Sequence, residues 1–388
     1  MNPDTQQPLL GGLSYQDFLN DYWQQKPLLV RQAFNGSPVD ISPEELAGIA
    51  CDTDAPARIV MEYGAEPWES LFSPFDDETF ANLPDSHWTL LVNDLERYIP
   101  ELRSIIEKFS FIPNWRLDDL MLSYAVKQGS VGPHIDAYDV FLIQTAGKRK
   151  WRIDSRKDYN KEILKDCSLS ILKYFDSNCD WVLKPGDMLY LPPKIPHYGI
   201  SQDNDCMTLS VGFRAPSQGE LIYHWIESIA NSPEFNQRYR DKQRPLQHHG
   251  AEITQNDIKA LSNIVLKGID SKKETLSIWL GKYLTETKGE STLNEEKMLE
   301  GLQKNKSSPL NYQRESWLRL AYIEDKEQLH FFADGHHFEL SIGAKEAILY
   351  LCDNYTYSKS LLENYYSLPT FKNIFNKLQQ DGGIVAID

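Results

Sequence analysis

His134 and Asp136 stand two residues apart in Gly132-Pro133-His134-Ile135-Asp136-Ala137-Tyr138, within a segment patterned as a β-strand. Side chains at i and i+2 of a strand share a face, so an imidazole and a carboxylate come side by side. His197, in Pro196-His197, brings a second imidazole from a distant part of the chain. Two histidines and one carboxylate are the donor set of non-haem Fe(II) centres, and they leave coordination positions open for small molecules. Taken alone, the HxD pair is a weak signal, and His197 by itself better suits a core position with satisfied ring nitrogens. The other histidines, including His248-His249 and His336-His337, lie in polar or hairpin contexts and receive no metal role.

A second chemical signal lies in Lys148-Arg149-Lys150-Trp151-Arg152-Ile153. On a strand, Lys148, Lys150 and Arg152 take one face, and Arg149, Trp151 and Ile153 take the other. A guanidinium beside Trp and Ile on an apolar face is costly to bury without an anion. Its fork matches a carboxylate through two parallel hydrogen bonds. A bound organic acid would supply that anion, and 2-oxoglutarate fits, with one end on the metal and its distal carboxylate on Arg149. A salt bridge to a protein carboxylate, or exit to solvent at the strand end, is the alternative.

The elements that must carry these groups are mostly short strands. From about Leu13 to Pro216, strands are expected at Pro27–Arg31, Trp88–Val92, Leu120–Val126, His134–Gln144, Arg149–Ile153, Met188–Leu191 and Thr208–Phe213, a pattern of sandwich or barrel type. The parity that aims His134 and Asp136 inward also aims Tyr138, Val140 and Leu142 inward. Pro185-Gly186-Asp187 is a turn, and Pro192-Pro193-Lys194-Ile195-Pro196 is a rigid loop that returns His197 to the barrel mouth. Ser42-Pro43-Glu44-Glu45 and Ser217-Gln218-Gly219-Glu220 are helix starts with capping-box chemistry. Leu276, Trp279, Leu280, Tyr283 and Leu284 form a helical apolar stripe. Strands are expected at Trp317–Ile323 and Leu329–Ala333, then a hairpin at Asp334-Gly335. Helices at Ala344–Asp353 and around Phe371–Leu378 precede a last strand, Ile384–Ile387. Residues 1–216, 217–306 and 307–388 thus read as three units, the last winged-helix-like.

A chain of 388 residues with 41% hydrophobic residues is long enough for two or three cores. Its net charge of −16 argues against non-specific nucleic-acid binding and suits a basic protein partner. The last helix of the third unit carries only Lys372 and Lys377 as basic residues, so no direct DNA binding is expected. The five cysteines are scattered with no CxxC pair, which favours a reducing, cytoplasmic setting without disulfides. No signal peptide and no membrane span are expected.

The chain resembles the JmjC-type 2-oxoglutarate oxygenases, a branch of the cupin fold. It is most similar to the bacterial ribosomal oxygenases that hydroxylate an arginine of a large-subunit ribosomal protein (the L16 type). The matching stretches are Phe18–Trp23 with Lys26–Arg31, Asn114–Met121, Gly132–Gln144, Gly147–Arg152, Pro185–His197 and Ser210–Pro216. The resemblance implies a mainly β double-stranded β-helix barrel with flanking helices, then a helical dimerisation domain and a C-terminal winged-helix-like domain. It implies His134, Asp136 and His197 as Fe(II) ligands, and Arg149 as partner of the distal carboxylate of 2-oxoglutarate. It also implies Ser123 and Thr208 as candidates for the same pocket, and Tyr138 and Asp118 as candidate substrate contacts near the mouth. O2 is the second co-substrate, a ribosomal protein the substrate, and a homodimer the assembly. Two departures stand out: Lys194 where relatives often carry glycine, and Gln128 in the usually glycine-rich approach to the metal strand. A JmjC enzyme acting on another protein residue (a histidyl or asparaginyl hydroxylase, or a demethylase) and a non-enzymatic cupin adaptor are the alternatives.

Overall fold

The computed structural model describes residues 6–62, 68–156, 158–165, 167, 169–236, 238–242, 244, 246, 251, 253–287 and 311–387. The first part of the chain builds two facing antiparallel sheets. The larger has eight strands. They are β1 (Leu28–Val30), β2 (Ala57–Met61), β3 (Glu69–Phe72), β4 (Trp88–Val92), β5 (Leu117–Ala125), β7 (Asp139–Ala146), β10 (Met188–Leu191) and β12 (Cys206–Phe213). The smaller sheet has the order β6 (His134–Ile135), β11 (Pro196–Ser201), β8 (Arg149–Ile153), β9 (Cys179–Leu183).

Alternation sorts the side chains of the larger sheet between two cores. Its outer face, with Ile59, Leu90, Leu122, Leu209, Phe141 and Tyr190, packs beneath helices Tyr15–Asp21, Pro43–Asp52 and Arg103–Lys108. Its inner face meets the smaller sheet through Val140, Leu142, Leu189 and Leu191 against Trp151, Ile153 and Leu183. This inner layer is the barrel interior. The expected capping box at Ser42 is present, with Glu45 N–H donating to Ser42 Oγ and Ser42 N–H donating to Glu45 Oε2 at 2.7 Å.

One expected strand is two. His134–Gln144 breaks after Ile135 and resumes at Asp139. The reason is topological: His134 pairs with His197 in the small sheet, whereas β7 pairs with β10 and β12 in the large one. The chain must cross between sheets at Asp136–Tyr138, so the strand parity does not extend to Tyr138, whose ring is 41% exposed. His197 likewise belongs to a strand, β11, and not to the preceding proline loop.

Helices Gln218–Ala230, Gln255–Ser271 and Leu276–Thr285 follow. The last does not bury its apolar stripe most deeply. Its buried residues are Gly281 and Thr285, because Gly281, lacking a side chain, lets the Phe332 ring come against the helix backbone. Phe332 lies on β15 (Gln328–Ala333), the centre of a three-stranded sheet with β14 (Leu320–Glu324) and β16 (His336–Ser341). Asp334 and Gly335 both take positive φ, as the expected tight hairpin requires. The strand expected from Trp317 starts only at Leu320, and a separate strand β13 (Asn311–Arg314) pairs with β17 (Thr356–Ser358) and β18 (Ile384–Ile387). Helices Lys345–Asp353, Lys359–Tyr365 and Pro369–Gln380 complete this core around Phe331, Ile348, Phe371 and Phe375. All five cysteines are free. Among the described residues no helix is long and apolar enough to cross a membrane.

Candidate metal and co-substrate site

His134, Asp136 and His197 converge where the small sheet meets the interior. One ligand atom from each lies within 4.8 Å of the others. His134 Nε2 is 3.7 Å from Asp136 Oδ1, and His197 Nε2 is 3.5 Å from Asp136 Oδ2. The opposite ring nitrogens are occupied: Nδ1 of His134 donates to the Gly132 carbonyl and Nδ1 of His197 to the Ile195 carbonyl, both at 2.9 Å. A carbonyl oxygen only accepts, so each Nδ1 carries a proton, and each Nε2 is the ring nitrogen that faces Asp136. A hydrogen bond from the opposite ring nitrogen to a carbonyl is what orients a ligating histidine. Burial, and then the neighbouring His134, push the His197 imidazole down to about 4, so it is neutral at physiological pH, as a ligand must be.

The backbone is shaped to hold these three. Gly132 has φ +80°, and a Cβ there would lie 2.8 Å from Ile171 Cδ1. Gly199, two residues after His197 on the same face, faces Trp151, and a Cβ there would sit 2.7 Å from the indole. The bend at Asp136 is pinned by the Lys194 N–H, which donates to the Asp136 carbonyl at 2.8 Å. Lys194 and Gln128 both have positive φ, 69° and 65°. These are left-handed positions at which glycine costs least, which gives the two sequence departures a backbone meaning.

Arg149 lies inside the barrel at 4% exposure, on the same face of β8 as Trp151 and Ile153. Its Nε donates to Cys206 Sγ at 3.3 Å, and its buried Nη2 has no hydrogen-bond partner. Among the described residues it pairs with no carboxylate. Cys206 also accepts from Gln144 Nε2 at 3.4 Å, and Gln144 Oε1 accepts from Thr208 Oγ1 at 3.1 Å. Ser123 sits opposite Thr208 in the β5–β12 ladder and donates to its carbonyl at 3.3 Å. Arg149, Cys206, Gln144, Thr208 and Ser123 are therefore one hydrogen-bonded chain. Sequence reading missed Cys206 and Gln144; a thiol and an amide in mid-strand carry no spacing signal. A buried, unpaired guanidinium is what the distal carboxylate of a dicarboxylate would meet, so the residues present fit both the metal and the co-substrate.

The turn below Gln144 is fixed by Asp187. Its carboxylate accepts from Arg31 Nη1 at 2.6 Å, Gln32 N–H at 3.0 Å and Lys184 N–H at 3.1 Å. Burial works against this charge, but the donors win and hold the carboxyl below its ordinary range. A depressed acid stabilises the fold above its unfolded-state value, about 3.9, and the contribution fades as pH falls through the folded value. D187N is expected to cost about 2 kcal/mol at neutral pH in a urea titration. The gap from the unmodified chain is expected to close below about pH 4.

Asp118 and Tyr138 meet at the mouth, lining a groove of about 590 Å³ with Arg214, Glu220, His224 and Glu286. Arg214 Nε donates to Asp118 Oδ1 at 3.2 Å.

The JmjC domain family model matches residues 104–221, and the ROXA-like winged-helix model matches residues 262–374. Fold and matches together define the class, a cupin-fold JmjC oxygenase that depends on Fe(II), 2-oxoglutarate and O2. The chain is 34% identical over 278 residues to the ribosomal protein uL16 3-hydroxylase of Escherichia coli, covering 72% of this chain and 73% of that protein. It is 41% identical over 209 residues to a probable ribosomal oxygenase of Haemophilus influenzae, covering 53% and 50%. The structure of YcfD, a ribosomal oxygenase from Escherichia coli in complex with cobalt and 2-oxoglutarate, superposes with TM-score 0.73 at 28% identity, over 96% of this chain and 98% of that one. The chain belongs to the JmjC-type ribosomal oxygenases.

Proposed function

We propose that the chain hydroxylates an arginine of a large-subunit ribosomal protein of the uL16 type. The observation that carries the reading is a two-histidine, one-carboxylate cluster sharing a barrel with a buried guanidinium that has no acidic partner among the described residues. His134, Asp136 and His197 would hold Fe(II). Bound there, Fe(II) would let O2 react with 2-oxoglutarate, so that one oxygen atom enters succinate as carbon dioxide leaves and the other is placed on an unactivated C–H bond. Arg149 receives the distal carboxylate and fixes how the co-substrate enters. The hydrogen-bonded chain through Cys206, Gln144 and Thr208 keeps the guanidinium from rotating. Trp151, Ile153, Leu142 and Leu189 exclude water from the interior. At the mouth, Asp118 and Tyr138 meet the substrate side chain. A net charge of −16 favours encounter with a basic ribosomal segment. The test is mass analysis of ribosomal proteins from a strain lacking this gene. Loss of a one-oxygen mark from a single arginine of uL16, restored by the gene, is expected; an unchanged uL16 refutes the reading.

A homodimer through the helical segment is part of the proposal. Helix Gln255–Ser271 buries none of its residues, yet Ile258, Leu261 and Val265 form a stripe at 44%, 46% and 61% exposure. Ile222 and Tyr223 on Gln218–Ala230 are exposed as well, at 53% and 63%. A second copy covers such a face in an isologous contact, where each substitution counts twice. L261D/V265D is expected to weaken self-association at least about a thousandfold, since each lost apolar side chain removes roughly 1.5 kcal/mol or more. Light scattering after size exclusion reads the change; an unaltered mass contradicts it. Lys377 is taken up by Asp381 at 2.6 Å, and Lys372 sits over the Tyr366 ring, which supports a non-DNA role for the last helix.

A further inference from the structure

The C-terminal unit reaches the substrate mouth through one buried guanidinium. Arg319, just before β14, donates from Nη1 to the Ser316 carbonyl at 2.6 Å. Its Nη2 donates to Glu96 Oε1 and to the Asp118 carbonyl, both at 3.1 Å. The side chains of Arg319 and Glu96 are 7% and 3% exposed. Glu96 Oε2 accepts from the Leu120 N–H at 2.9 Å, so the ion pair grips the start of β5 on both sides of Asp119. The Asp118 carboxylate is held separately: Arg214 bonds it by Nε and reaches the carbonyls of Leu284 and Glu286 by Nη1 and Nη2 at 3.3 and 3.2 Å. Asp118 is thus anchored from outside the barrel by its carbonyl and by its carboxylate.

A buried ion pair is poor value as a source of stability, because desolvation offsets most of the attraction. Burial pushes the Glu96 carboxyl up to about 7 even with Arg319 beside it. What this pair does hold is geometry, since it ties the Asp118 carbonyl and the Leu120 N–H to one place. We propose that the C-terminal unit braces the substrate mouth from behind without lining it, and that Arg319 is a positioning residue which sets Asp118 for the substrate. The inference rests on the reading of Asp118 as a substrate contact. It gives the third unit a role in substrate selection with no contact to metal or co-substrate. The partner is a cationic side chain in an extended peptide, which an anchored carboxylate recognises at low entropic cost.

R319K in the full-length chain keeps the charge opposite Glu96 but loses the fork that also spans the Ser316 and Asp118 carbonyls. E96Q/R319Q removes both charges and avoids an orphaned buried ion. D118N tests the underlying contact. The probe is a fluorescent arginine-containing uL16 peptide, with its KM under turnover and its Kd on Mn(II)-loaded enzyme under nitrogen. Both Arg319 variants are expected to raise peptide KM and Kd about tenfold or more, with the 2-oxoglutarate Kd unchanged within about twofold. A lower melting temperature with unchanged peptide KM means a purely structural pair and overturns the inference. A neutral D118N overturns the contact reading and the inference with it. A weakened D118N beside unaffected Arg319 variants overturns the inference alone.

Discussion

D136A is expected to lower Fe(II) affinity more than about 100-fold and to take turnover with it. Losing a second-shell partner alone costs roughly 10–100-fold, and Asp136 is the single anionic donor of the cluster. Both imidazole Nε2 atoms face its two oxygens, at 3.7 and 3.5 Å. Without it, two neutral rings with centroids 4.2 Å apart remain, and no charge is left to offset a divalent cation. D136N keeps the shape and removes the charge, so it is expected to lose affinity nearly as far. The metal-free fold is expected to survive both changes, because Asp136 is part-exposed and its main-chain bond to Lys194 is kept. Anaerobic metal titration with circular dichroism of the same samples separates lost binding from lost folding. Micromolar Fe(II) binding by D136A equal to that of the unmodified chain refutes the assignment.

The second large effect has opposite signs in the empty and the loaded protein. Arg149 is a buried cation with no acidic partner among the described residues, so the empty protein carries its desolvation cost. R149M is expected to leave the empty protein as stable or more stable, by about 1–4 kcal/mol on the precedent of buried charges replaced by apolar groups. The same change removes the partner of a buried carboxylate, worth roughly 3–5 kcal/mol. The KM for 2-oxoglutarate should therefore rise from about a hundredfold to a few thousandfold. R149K, a point charge without the fork, should fall between. Thermal melting with and without 2-oxoglutarate in Mn(II)-loaded protein shows both signs. The unmodified chain gains stability with ligand concentration, and R149M does not. A destabilised empty R149M with unaltered KM means that Arg149 serves the fold alone.

Local pattern carried much of this architecture. Trp88–Val92, Arg149–Ile153, Met188–Leu191 and Ile384–Ile387 lie where alternation or short apolar runs put them. The inward face of β8 follows from parity, and buried Arg149, Trp151 and Ile153 share it. What local pattern could not carry is sheet membership. Nothing in His134–Gln144 says that its two halves pair with different sheets, so the bend at Asp136–Tyr138 is visible only in the ladders. Strands Ala57–Met61, Glu69–Phe72, Cys179–Leu183 and Asn311–Arg314 escaped because each is short and carries a charged or polar residue, so no apolar run marks it out. Cys206 and Gln144 escaped for a related reason: their chemistry arises only when β7, β8 and β12 come together around Arg149. The Glu96–Arg319 pair joins positions far apart in the chain, beyond the reach of any motif.

Three converging donors share this barrel with a buried guanidinium that has no acidic partner among the described residues, and the proposed target is a protein arginine. The most direct measurement incubates the full chain with an arginine-containing uL16 peptide, Fe(II), 2-oxoglutarate and isotopically labelled O2, followed by fragment mass analysis and succinate quantification. The account predicts one labelled oxygen atom on the arginine and one succinate for each modified peptide. Unmodified peptide in the presence of bound Fe(II) and 2-oxoglutarate, or an oxygen atom drawn from water, would contradict it.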